Sequence, residues 1–146
     1  MTLSAAQLKE LLEQQFGGCK GQTATRVLLP SAGFSVTWNG DAPPCRRIVD
    51  AALATAGGVE QLVSGGAVPS PARTYRVTVN SFLASGGDGF TTLLGGTDLL
   101  GGAQDIDALA AYLSAFKRPR PAYDPEAASL GKPRIRRSDA GTSCPG

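Results

Sequence analysis

Residues 75 to 90 read YRVTVNSFLASGGDGF, and this stretch holds the side chains best suited to recognition chemistry. Phe82 stands at the end of an alternating apolar run. Gly86 and Gly87 follow, where a backbone without Cβ atoms can turn tightly and approach a ligand closely. Asp88 lies between glycines, so its carboxylate can point outward. An aromatic face beside a carboxylate suits a nucleoside: the ring stacks on the base, and the carboxylate accepts hydrogen bonds from two ribose hydroxyls. The same residues fit a second arrangement, with Phe82 in the core and Gly-Gly-Asp-Gly as a hairpin turn in which Asp88 bonds its own backbone. No Lys-Ser/Thr pair follows the glycines, so the loop is not a phosphate-binding P-loop.

Other chemistries are excluded by what the chain lacks. It has no histidine. A Ser-His-Asp triad, a Cys-His dyad and a histidine metal site therefore cannot be assembled within it. Cys19, Cys45 and Cys144 form no CxxC pair. Asp105 and Asp107 stand two apart at the start of a predicted helix, where they complement the helix dipole. No catalytic residue and no metal ligand is assigned, and no cofactor is expected in this chain.

The elements that must position Phe82 and Asp88 follow from periodicity. Ser4 and Gln7 make a capping-box pattern. Leu8, Leu11, Leu12, Gln15 and Phe16 then share one helical face, until Gly17-Gly18 ends the helix. Leu3 implies a strand before that helix. Strands are predicted over Arg26 to Leu29, Gly33 to Trp38 and Arg46 to Leu53, with a weak one around Leu62-Val63. The strongest is Tyr75 to Phe82, alternating Tyr75, Val77 and Val79. A last helix opens at Asp105 with Ile106, Leu109, Ala110, Leu113 and Phe116 on its buried face. This order predicts an α+β domain, a mixed sheet with flanking helices.

The chain of 146 residues suits one domain. A net charge of +2 gives no electrostatic footprint for nucleic acid. No apolar run is long enough to span a bilayer, and no signal peptide opens the sequence. Beyond Lys117 the sequence is rich in proline and arginine. Residues 118 to 146 are expected to form an extended, partly disordered tail.

The segment YRVTVNSFLASGGDGF resembles the signature near the end of the C-terminal domain of 5′-nucleotidases, including bacterial UDP-sugar hydrolases and animal ecto-5′-nucleotidase. The likeness extends to the opening helix, Thr2-Leu3-Ser4-Ala5-Ala6-Gln7-Leu8 through Phe16. It also takes in the strand Gly33 to Trp38 and the segment Gln104-Asp105-Ile106-Asp107-Ala108-Leu109 with Tyr112-Leu113. It covers residues 2 to 117, and residues 1 to 117 are taken as the domain. It implies a hydrolase for nucleotide catabolism in which this domain holds the nucleoside part of the substrate. A separate N-terminal metallophosphatase domain would carry two divalent metal ions. The implied ligand is a nucleoside monophosphate or a UDP-sugar. The implied partner is that metallophosphatase domain, in cis or in trans.

The resemblance assigns the base-stacking aromatic to Phe82 and the ribose carboxylate to Asp88, on the turn shaped by Gly86 and Gly87. The family's other stacking aromatic and most of its phosphate-binding arginines would precede Met1. The domain is thus expected to be incomplete at its N-terminus and inactive alone. A free-standing nucleotide-binding module and an inactive fragment are the alternatives. Family members are mostly periplasmic or secreted, where disulfides persist. Cys19 and Cys45 both fall at element ends, so either they pair or both remain free thiols. Cys144 is expected to be free.

Overall fold

Met1 to Trp38 already shows how the sequence builds its framework. The computed structural model describes residues 1–124 and 133–139. Strand β1 (Thr2–Ser4) runs straight into helix α1 (Ala5–Glu13). The capping box forms: Gln7 N donates to Ser4 Oγ at 3.2 Å, and Ser4 N donates to Gln7 Oε1 at 2.8 Å. This satisfies two amides that an open helix end leaves unpaired. The helix ends at Glu13, one turn short of the expected Phe16. Leu8 and Leu11 are buried on its inner face.

Four further strands follow: β2 (Phe34–Trp38), β3 (Ile48–Thr55), β4 (Gly58–Val63) and β5 (Thr74–Arg76). Strand β6 (Ile135–Arg137) comes much later in the chain. β1 and β5 form an antiparallel pair with Leu3 opposite Tyr75. The other strands make a sheet in the order β4-β3-β2-β6, antiparallel except for the parallel β2/β6 edge. The fold is α+β, as the sequence indicates. Leu3, Phe16, Val36, Ile48, Leu62, Val63, Phe90 and Leu93 form the core, packed between α1, the sheet and the segment after β5.

Several boundaries differ from the sequence reading. Residues 26–29 are not a strand. Their backbone hangs on Gln15 instead: Arg26 N donates to Gln15 O at 2.8 Å, and Leu28 N to Gln15 Oε1 at 2.7 Å. β3 starts at Ile48 because Arg46 N closes a turn onto Pro43 O at 3.1 Å. The strand expected over Tyr75 to Phe82 stops at Arg76. Asn80 Oδ1 accepts from Leu83 N at 2.8 Å and caps a short helix, α2 (Ser81–Ala84). A local side-chain bond thus takes the segment out of the ladder.

The chain divides into two compact units. One comprises Met1–Asp98 and the stretch that begins at Pro133; the other spans Leu99–Lys132, of which residues 99–124 are described. In the second unit, helix α3 (Asp105–Ser114) buries none of its residues, contrary to the expected buried face. Its Tyr112 packs edge-on against Phe116 at 5.3 Å and Tyr123 at 6.1 Å.

Strand β6 lies within the stretch expected to form an extended tail. Ile135 is β-branched and pairs opposite Val36. Arg137 lies over the Trp38 ring at 5.2 Å and bonds Asp139, whose Oδ1 accepts from Gly40 N at 2.6 Å. Residues 125–132 and 140–146, with Cys144, lie outside the described residues.

Candidate functional site

α2 and the turn after it present the residues singled out in the sequence. Phe82 is on α2 rather than at a strand end, and it is 57% exposed, so it is not a core residue. Ser85 Oγ donates to Ser81 O at 3.1 Å and Phe82 O at 2.9 Å, closing the last turn of α2. Gly86 then adopts the left-handed region with φ 81°. Gly87 is required for a different reason. A Cβ on Gly87 would stand 2.6 Å from Phe82 Cε1 and from Phe82 O. The Phe82 ring therefore lies against the bare Gly87 backbone.

Asp88 has φ 55°, unusual for a residue with a side chain. It does not bond its own backbone in a hairpin. Gln22 Nε2 donates to Asp88 O at 2.8 Å, and Arg26 Nη1 stands 3.2 Å from Asp88 Oδ1. Both partners of that ion pair are about half exposed. Gln14 supports the next residues: its Nε2 donates to Thr91 Oγ1 at 2.8 Å, and its Oε1 accepts from Thr92 N at 3.1 Å. Gln14 and Gln22 are buried, and such amides are costly unless paired on both ends.

Sequence reasoning missed all three supports. Gln14 and Gln22 lie outside any periodic pattern. Arg26 was legible as a cation, but nothing along the chain joins it to a residue 62 positions on.

Cys19 and Cys45 form a disulfide with Cα atoms 5.1 Å apart. It fastens the turn in which Gln22 N donates to Cys19 O at 2.9 Å and Gly18 N to Gln22 O at 2.7 Å. The other two arginines of the region are engaged elsewhere or make no described bond to this loop. Arg47 donates to Ala42 O at 3.1 Å and covers the Phe16 ring, and no described bond links Arg46 to the loop.

Chemically, the surface can stack a planar ring on Phe82 and accept hydrogen bonds at Asp88. Among the described residues, no three of His, Cys, Asp and Glu converge in a way that could hold a metal. Fold and site together define an α+β domain that carries an exposed aromatic on a glycine turn followed by a carboxylate.

The comparisons make the class specific. The family model for the 5′-nucleotidase C-terminal domain matches residues 1–95, and the chain belongs to that family. Among solved structures, the 5′-nucleotidase precursor from Thermus thermophilus is similar to 97% of this chain, with a TM-score of 0.70 and 26% identity. The chain spans 25% of that structure's length. No curated protein sequence matches. Among the described residues, no helix is long and apolar enough to cross a membrane.

Proposed function

We propose that this chain is the nucleoside-binding portion of a 5′-nucleotidase-type phosphoesterase acting in nucleotide breakdown. Phe82 stacks the base, Asp88 accepts from the ribose hydroxyls, and the Gly86-Gly87 turn brings the two together. The observation that carries this reading is an exposed Phe82 ring seated on Gly87, one residue from the Asp88 carboxylate. A large exposed aromatic with its edge fixed by backbone is a stacking platform that any base can use. The ligand class is a nucleoside monophosphate or a UDP-sugar.

Hydrolysis belongs to a metallophosphatase domain acting in cis or in trans. The described residues do not fit the two divalent ions that such a domain holds, so no step of this chain runs through them. The domain works by binding and orienting, which lowers the entropy of bringing phosphate to a catalytic centre. A periplasmic or extracellular setting agrees with the Cys19–Cys45 disulfide, since such bonds persist in oxidising compartments.

Equilibrium titration of the chain with adenosine, AMP and UDP-glucose tests the reading. Saturable binding is expected, and Phe82→Ala should weaken it by about 1–3 kcal/mol, the usual scale of a base–aromatic stack. Affinity unchanged by Phe82→Ala would overturn the assignment.

A further inference from the structure

Asp88 is held from two directions by the segment after α1. Gln22 fixes its carbonyl, and Arg26 engages its Oδ1 at 3.2 Å. Among the described residues nothing donates to Asp88 Oδ2. Arg26 is itself placed, because its backbone N donates to Gln15 O at 2.8 Å. Its guanidinium makes no other described bond. An ionised carboxylate only accepts, and an arginine only donates. One oxygen turned to Arg26 therefore leaves the other to face hydroxyl donors.

We infer that Arg26 is a positioning residue for Asp88, setting a preference for ligands that carry a furanose 2′,3′-diol. This rests on the nucleoside reading above and deepens it. A carboxylate free to rotate must be ordered when the diol binds. One already tethered at Oδ1 has lost that freedom beforehand, so the diol binds more tightly. A sugar without the two hydroxyls gains nothing from the tether. Arg26 in this role touches neither base nor phosphate.

The pair is half exposed, so its effect is modest. The test uses the full chain and compares adenosine with 2′,3′-dideoxyadenosine by amide chemical-shift titration. The parent chain should prefer adenosine. Arg26→Gln should reduce that preference about two- to fivefold, the range that a half-exposed ion pair supports, and leave dideoxyadenosine affinity unchanged. Arg26→Lys should restore part of it, and its spectrum checks that the fold survives at this position. In an Asp88→Asn background, Arg26→Gln should change the preference no further.

An unchanged preference in Arg26→Gln would overturn the proposal, as would an equal loss for both nucleosides. A loss for AMP without one for adenosine would make Arg26 a phosphate contact and overturn it too. Those three results leave the nucleoside site standing. A parent chain that binds neither nucleoside overturns the nucleoside reading itself and this inference with it.

Discussion

At the scale of single residues, Gly87 carries the tightest constraint of the site. A methyl group there would enter both the ring and the carbonyl of Phe82, at 2.6 Å each. The carbonyl cannot yield as a side-chain tip would, because it is backbone and also accepts from Ser85 Oγ. Gly87→Ala must therefore push the ring off its seat or distort α2. We expect it to lower adenosine affinity by about 1–3 kcal/mol, as if the stack were lost. The amide spectrum of β2, β3 and β4 should stay intact. A Gly87→Ala chain that binds adenosine as tightly as its parent would show that the seated ring is not the platform. Residue types and spacing singled out Phe82, Gly86, Gly87 and Asp88 as an aromatic beside a glycine turn, but left core and surface placements of Phe82 open. The helix under Phe82 was not, since alternation at Tyr75, Val77 and Val79 outweighed one capping asparagine, Asn80.

At the scale of elements, the site depends on the end of α1 and the segment beyond it. Gln14, Gln22 and Arg26 reach across 62 to 78 positions of sequence to the turn around Asp88, Thr91 and Thr92. The Cys19–Cys45 disulfide closes a loop with a sequence separation of 26 around that segment. Removing such a cross-link costs roughly 3–4 kcal/mol on the chain-entropy account. Denaturant unfolding of a Cys19→Ala/Cys45→Ala chain should show a loss of that size, and an unmoved midpoint would contradict it.

β6 offers a second check. Arg137 hydrogen-bonds Asp139 and Gly40 N donates to it, so the Asp139 carboxyl is lowered from 3.8 to about 2. A lowered folded value means that this contribution is present above the unfolded value near 3.8 and is lost as pH falls towards 2. Carboxyl-carbon NMR should find Asp139 titrating near 2, and Arg137→Gln should move it back towards 3.8. Titration near 3.8 in the parent chain would mean that β6 is not docked in this way. The docking was hidden in the sequence by proline and charge density. Three residues of strand gain their meaning only from the β2 edge that receives them.

At the scale of the whole molecule, the α+β class was readable because capping, alternation and turn chemistry agree along most of the chain. The exposure of α3 was not readable. Its apolar stripe at Ile106, Leu109 and Leu113 predicts a partner face, but these residues remain 60%, 51% and 48% exposed. Periodicity reports which face is apolar and says nothing about what covers it.

A crystal structure of the chain with saturating adenosine would show whether the Phe82–Asp88 surface of this fold receives a nucleoside. The base should be stacked on the Phe82 ring at about 3.5–4.0 Å. The ribose hydroxyls should lie about 2.5–3.0 Å from the Asp88 carboxylate. Adenosine bound elsewhere with the Phe82 ring uncovered, or no adenosine bound at saturation, would contradict it.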